Sequence, residues 1–209
     1  MIGMQLLLIR HALPHRSEHG NGSDPELADA GWEQARRLPA ALERYPLARL
    51  LSSPQRRARQ TAEPLGTARG LEIELEPRLA EYDRDMAGYV PIEQLRSERP
   101  EDWARMAEGR LPDGVDEGEF KARISGAVAD IVAAADHDDT VAVFSHGGVI
   151  NVLLHEILGT RRLLSFPIDY VSVTRLLFSR TGQASVAAVN GTEHVWDLLP
   201  RNQRRRPAQ

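Results

Sequence analysis

His11 and His146 each stand at the end of a short apolar run. Gln5-Leu6-Leu7-Leu8-Ile9-Arg10 leads into the first, and Thr140-Val141-Ala142-Val143-Phe144-Ser145 into the second. Continuous apolar runs of this length, bounded by turn signals, fit strands buried on both faces of a parallel sheet. Pro14 keeps a helix from running through the Arg10-His11 pair. Same-sense strands end on one edge of a sheet, where open α/β folds place their ligands, so the two imidazoles can converge. A third run closes in Ser52-Ser53-Pro54, followed by an arginine-laden helix start at Arg56, Arg57 and Arg59. Glu81, just after an alternating run at 71–75, brings a carboxyl group toward the same edge. Two His, several Arg and one Glu, with no thiol and no hydrolase-type nucleophile elbow, suit phosphoryl transfer through a phosphohistidine. An imidazole nitrogen attacks phosphorus, guanidinium groups match its equatorial oxygens, and a carboxylic acid protonates the leaving alkoxide. Chemistry of this kind rests on positioning and charge and requires no metal or other cofactor.

Composition narrows the alternatives. The 209-residue chain is 42% hydrophobic and 27% charged, which fits one well-buried domain over 1–209. A formal charge of −4 offers no broad attraction to nucleic acid or to an anionic membrane surface. The absence of cysteine excludes disulfides, thiolate metal sites and a Cys nucleophile. No apolar run approaches the roughly 20 residues needed to span a bilayer. The first residues lack a charged n-region and a small-residue cleavage site, so the expected location is cytoplasmic. His11, His15 and His19 recur every fourth residue, as metal ligands on a helix would, but Pro14 and Gly20-Asn21-Gly22 argue against that helix.

The intervening elements alternate. After the first strand, 13–26 reads as a loop; 27–45 has helical apolar spacing; 48–51 is a strand; 56–69 is a helix stopped by Gly70; 71–75 is a strand with one wetter face. This β-α-β-α-β order predicts a three-layer α/β/α sandwich around a mainly parallel sheet. Residues 82–118 are broken by Pro91, Pro100 and Pro112 and read as an insertion, a lid over the sheet edge. A helix over 119–135, the strand at 140–144 and a helix over 149–158 follow, then closing strands at 171–178 and 184–189. That last pair leaves an edge through which a homodimer is one expectation and a covered edge the other. The basic stretch 201–209 reads as a solvated tail. His137 fits a surface loop, His155 fits helix packing, and His194 has no assigned role.

In order along the chain, these residues resemble a family. Leu8-Ile9-Arg10-His11-Ala12 is similar to the Arg-His-Gly signature of the histidine phosphatase superfamily, which includes the cofactor-dependent phosphoglycerate mutases. Asp24-Pro25-Glu26-Leu27 with Gly31, Gln34 and Ala35 is similar to its Asp-x-Pro-Leu-Thr…Gly…Gln-Ala stretch. Ser52-Ser53-Pro54…Arg57-Ala58…Gln60-Thr61-Ala62 resembles its Ser-Ser-Pro block. Leu79-Ala80-Glu81 sits where its acidic residue follows a Leu, and Val143-Phe144-Ser145-His146-Gly147-Gly148 resembles its second-histidine motif.

The resemblance implies a phosphoglycerate mutase-like fold and a metal-independent phosphoric monoester hydrolase of the histidine acid phosphatase type, acting on a small-molecule phosphate ester. It implies that His11 becomes phosphorylated, that Arg10 and Arg57 grip the phosphate and that His146 donates to its oxygens. Glu81 then protonates the leaving group and activates water. Arg56 and Arg59 are rivals for the place of Arg57, and Asp83 and Asp85 for that of Glu81. Gly147, through its backbone N–H, His15 and Ser17 are candidate substrate contacts. The sequence departs from the family where Ala12, Leu13, Pro14 and Ser17 replace Gly, an acidic or amide residue, Thr and Asn. Ala12 fits if its φ is negative. The short chain favours hydrolysis over mutase chemistry. A binding relative without turnover and a protein-phosphohistidine phosphatase are the other readings.

Overall fold

The computed structural model describes residues 3–15, 24–86 and 89–203. Six strands form one sheet in the order β3-β2-β4-β1-β5-β6: β1 (Gln5–Arg10), β2 (Leu47–Ser52), β3 (Ile73–Leu75), β4 (Thr140–Ser145), β5 (Val173–Phe178) and β6 (Ala184–Gly191). The first four strands of that order are mutually parallel, while β5 runs antiparallel to both β1 and β6. The mainly parallel α/β architecture expected from the sequence is what the chain adopts.

The two faces of β1 explain its unbroken apolar run. Leu6 and Leu8 pack, with Val141 and Val143, against the helices α6 (Glu117–Ala133) and α7 (Gly147–Leu158). Leu7 and Ile9 point the other way, joining Ala142 and Phe144 against α1 (Asp29–Ala35), α2 (Leu38–Ala41) and α3 (Arg56–Arg69). Period-two alternation on a strand covered on both sides demands apolar residues at every position. The chain leaves β1 toward the α1–α3 face and β4 toward the α7 face. Between these neighbouring strands, connections diverge to opposite layers and a crevice opens at their C-terminal ends.

Several boundaries differ from the sequence reading for local reasons. The single helix expected over 27–45 is two, because Pro39 near the start of α2 has no N–H to give the Ala35 carbonyl. The strand at 71–75 shortens to Ile73–Leu75. The helix expected at 119–135 begins at Glu117, where the Asp116 side chain accepts from the Glu119 N–H. Gly70 ends α3 in the left-handed conformation, φ 62°, as expected. Within 82–118 lie a 3₁₀ turn at Tyr82–Asp85 and two short helices, α4 (Ile92–Glu98) and α5 (Pro100–Ala107). A last short helix, α8 (Pro200–Gln203), follows a 3₁₀ segment at Glu193–Leu198; the rest of the expected basic tail lies outside the described residues.

Register carries the fold into the site. Arg10 pairs with Ser145 and Ser52 with Phe144, so the three strands end level. The next residues extend that level by backbone bonds: His11 N–H donates to the Ser145 carbonyl and Ser53 N–H to the Phe144 carbonyl, both at 2.9 Å. Past His11, Ala12 N–H donates to Thr61 Oγ1 and Leu13 N–H to Gln34 Oε1. Gly31 permits this docking: a β-carbon there would lie 2.0 Å from the Leu13 carbonyl oxygen. Gly31→Ala should therefore push α1 away from 11–13, costing about 1–3 kcal/mol in urea unfolding and lowering turnover together with stability. Unchanged unfolding and turnover would show that this close approach does not position His11.

Candidate active site

Arg10, His11, Arg57, Glu81 and Gly147 line one cavity of about 340 Å³ at the C-terminal ends of β1, β2 and β4. His11 is buried, and its Nδ1 lies 2.8 Å from its neighbour's carbonyl, that of Ala12. A carbonyl only accepts, so Nδ1 carries the hydrogen and Nε2 keeps its lone pair. Ala12 is not among the residues with positive φ, so its methyl is accommodated where the family motif has Gly. The His146 ring, wholly buried, stands 5.2 Å from that of His11. Its Nε2 lies 2.8 Å from Ser53 Oγ, and its Nδ1 has no hydrogen-bond partner among the described residues. A buried unsatisfied ring nitrogen is costly unless a ligand completes it. His146 lies behind the lining residues; the Ser53 hydroxyl can donate to its Nε2, and in that tautomer Nδ1 holds the hydrogen.

Two arginines set the charge. Arg57 has no exposed surface, and its Nη2 donates to both Asp83 carboxylate oxygens at 2.8 and 2.9 Å. Burial opposes its charge, but Asp83 more than offsets this, and its pKa lies above the ordinary value. Its guanidinium also lies 4.7 Å from the Tyr89 ring centroid. Arg10 spans the gap to the loop after α7: its Nη1 donates to the Ile168 carbonyl, and its guanidinium stacks 4.1 Å from the Tyr170 ring centroid. Burial, then the Arg57 and Arg10 charges, push the His11 pKa well below its ordinary value. Burial, Arg57 and His11 do the same to His146. Both rings are neutral at pH 7, and His11 Nε2 keeps a lone pair that needs no base to free it.

The carboxylates divide by environment. Glu81 Oε2 accepts from the Gly148 N–H at 2.8 Å and Oε1 from the Tyr82 N–H at 3.2 Å. Burial and the nearby Asp83 charge nonetheless raise its pKa to about 7, outweighing those two donors and Arg57. A carboxyl poised there can give and retake a proton near neutrality. Asp83 is engaged otherwise, accepting from Arg57 and from Gln55 Nε2, while Gln55 Oε1 accepts from the Glu81 backbone N–H. Asp85 is exposed and pairs with Arg84. Geometry thus gives Asp83 to Arg57 and leaves Glu81 as the carboxyl with proton-transfer properties.

The rivals of Arg57 point elsewhere: Arg56 pairs with Glu26, and neither Arg56 nor Arg59 lines the cavity. Gly147 does line it, but the N–H at this helix start that meets a site side chain is that of Gly148. His15 is exposed, bonds through its backbone to the Glu26 carbonyl, and is not among the lining residues. Ser17 lies outside the described residues. Gln55 and Asp83 gained positioning roles the sequence reading did not give them. The loop 159–172, which supplies Ile168 and Tyr170, was given no role at all. Its signal is one of strain: Val171 has φ 56°, unusual for a β-branched residue, and its carbonyl accepts from His194 Nε2.

Comparisons with known proteins give a family and several relatives. Residues 6–191 match the model of the histidine phosphatase superfamily (branch 1). The chain is 30% identical over 165 residues, 75% of each chain, to "Probable phosphoglycerate mutase GpmB" of Enterobacter sp. (strain 638). It is also 30% identical to phosphoserine phosphatase 1 of Hydrogenobacter thermophilus, over 81% of this chain and 84% of that one. Among solved structures, a mycobacterial glucosyl-3-phosphoglycerate phosphatase superposes with a TM-score of 0.71 at 25% identity, covering 90% of this chain and 98% of that one.

The opposed shifts of His11 and Glu81 give a pH signature. A nucleophile active when neutral and an acid active when protonated should make kcat/KM rise as pH passes the depressed His11 value and fall as it passes about 7. Glu81→Gln should remove the upper limb and slow an alkyl phosphate by about 10²–10⁴-fold. Asp83→Asn should instead move that limb to lower pH, since the Asp83 charge is one cause of the raised value. An upper limb that persists in Glu81→Gln would take Glu81 out of proton transfer.

Proposed function

The chain belongs to the histidine phosphatase superfamily (branch 1), and from that premise we propose that it hydrolyses a small phosphate monoester through a phosphohistidine on His11. The observation that carries this reading is the His11 ring: one nitrogen is fixed by the Ala12 carbonyl, and the other is neutral and flanked by two arginines. Phosphoserine and glucosyl-3-phosphoglycerate phosphatases among its relatives and neighbours support the hydrolase class.

His11 Nε2 attacks phosphorus as the ester P–O bond breaks, and Glu81 gives its proton to the departing alkoxide, releasing the alcohol. Arg10, Arg57 and the His146 Nδ1–H hold the equatorial oxygens, where their charge and hydrogen bonds strengthen in the transition state. Water then attacks the phosphohistidine, its proton passing to the Glu81 carboxylate. The P–N bond breaks with its electron pair returning to Nε2, and inorganic phosphate leaves. The donors named are all side chains of this chain, and among the described residues no group of three His, Asp or Glu has metal-binding geometry. Residues 82–118 act in this reading as a lid that closes over the ester.

Transfer to a second hydroxyl, as in a mutase, is the alternative that the GpmB relative raises. A bisphosphorylated species needs cations beyond Arg10 and Arg57, and the described cavity wall adds Arg99 alone, on a wall that also bears Asp102. That disfavours the mutase.

The test is turnover of an aryl phosphate in EDTA, with a parallel assay for acid-labile phosphate on the protein. Wild type should turn over and label; His11→Ala should fold, lose at least about 10³-fold in kcat and not label. Turnover surviving in His11→Ala would sink the mechanism, and stimulation by a bisphosphate primer would move the reading to the mutase.

A further inference from the structure

The phosphate end occupies only part of the cavity. Pockets of roughly 300–1,000 Å³ accommodate whole ligands, and at about 340 Å³ this one has room for far more than a phosphoryl group. Beyond His11 and the two arginines its wall is built by Tyr89, Leu95, Trp103, Met106, Phe166 and Ile168. These come from 82–118 on one side and from the 159–172 loop on the other.

Two features show that this wall is made to be covered. Helix α5 is strongly amphipathic, with Trp103 and Met106 three residues apart on one face, yet no residue of it is fully buried. Its apolar face lines the cavity through Trp103 and Met106, beside Leu95 of α4 and Tyr82. Among the described residues the Tyr82 hydroxyl, in the same wall, has only the Met106 sulfur at 3.7 Å as a partner, a weak acceptor. Polar groups able to read a hydroxyl-rich or carboxylate-bearing leaving group are few there. Of the described lining residues other than Arg10, His11, Arg57, Glu81 and Asp83, Arg99 and Asp102 carry opposite charges, Tyr89 adds a hydroxyl, Asn151 donates to the Gly147 and Phe166 carbonyls, and Ser165 donates to the Arg162 carbonyl.

We propose that the substrate is an amphiphilic phosphate monoester, one whose alcohol carries an apolar chain or ring that lies against Trp103, Met106 and Phe166. The inference rests on the phosphomonoesterase reading and names the substrate class for that site. The occupant is fixed by continuity: the apolar wall and the His11 phosphate pocket are one cavity, so what covers the wall is the body of the ester being cleaved. A short, doubly anionic ester would leave the wall wet and its second anion facing Asp102.

The test uses esters of primary alcohols, whose leaving groups are chemically alike: ethyl, butyl and hexyl phosphate, with 3-phosphoglycerate as the polyanionic comparison. In wild type, kcat/KM should rise about threefold to fourfold per buried methylene, and hexyl phosphate should exceed 3-phosphoglycerate at least tenfold. Trp103→Ala should lower kcat/KM for hexyl phosphate about tenfold more than for ethyl phosphate, and Trp103→Phe should restore most of the difference. Because Trp103 is only half-buried, an unchanged melting temperature should accompany the variant. A flat series, or 3-phosphoglycerate as the best substrate, with turnover still abolished in His11→Ala, would overturn this inference and leave the hydrolase standing. A steep series unaltered by both Trp103→Ala and Phe166→Ala would overturn the assignment of this wall. Absence of turnover on all four esters, with no label on His11, would overturn both readings together.

Discussion

A guanidinium with no access to water governs this site. Arg57 is wholly buried at the start of α3, and removal of such a group from water costs several kcal/mol unless a carboxylate compensates. Asp83 compensates with both oxygens, and three consequences follow from that one pairing. The pair holds the guanidinium in the wall of the cavity that His11 also lines. The Arg57 field, with that of Arg10, adds to burial in keeping His11 deprotonated. The compensating carboxylate, placed two residues from Glu81, holds the Glu81 proton near neutral pH. A nucleophile that must be bare and an acid that must be loaded would ordinarily need different pH values. Here burial sets both, and one ion pair reinforces it.

The pairing survives only because the backbone around it is fixed. Gln55 bridges the two halves, donating to Asp83 and accepting from the Glu81 N–H, while Thr61 joins α3 to the turn after β1 by accepting from Ala12. Glu81 itself is pinned against the first turn of α7, where a β-carbon on Gly148 would stand 2.3 Å from its Oε1. The carboxyl is thus packed against bare backbone, which explains how it stays desolvated while accepting two N–H bonds. The level strand ends of β1, β2 and β4 set the positions of His11, Ser53 and His146, and the side-chain bonds among the following turns do the rest.

How much of this the sequence disclosed depended on whether the determinant was local. The alternate faces of β1 and β4 were legible because a doubly covered strand must be apolar throughout, and the adjacent Arg10-His11 and His146-Gly147 marked where those strands end. Choosing Arg57 over Arg56 and Arg59 required the five ordered motifs, since all three occupy the same helix start. The Leu79-Ala80-Glu81 motif singles out Glu81, but the pairing of Asp83 with Arg57 was not legible, since it depends on where Arg57 points in the folded chain. His15 looked close to the pocket in sequence, yet the chain turns it to solvent. The break at Pro39 was legible in principle and was overridden by the helical spacing of Leu38 and Leu42. The 159–172 loop carried no periodic pattern, and its contribution arises from a left-handed Val171 that only the folded chain imposes.

That loop and the 82–118 segment are also where the phosphate site meets the rest of the cavity. Arg10 is held by the Ile168 carbonyl and stacked on Tyr170, both in the loop; Arg57 faces Tyr89, in the segment. Arg10 and Arg57 are therefore each braced by an aromatic ring from an element that also builds the apolar wall. A guanidinium over a ring is held more strongly as water leaves. An alcohol that fills the wall and excludes water would tighten both braces while its own phosphate is being gripped. Binding energy from the non-reacting end of a substrate would then be spent on orientation at phosphorus, the arrangement that raises kcat and not only affinity.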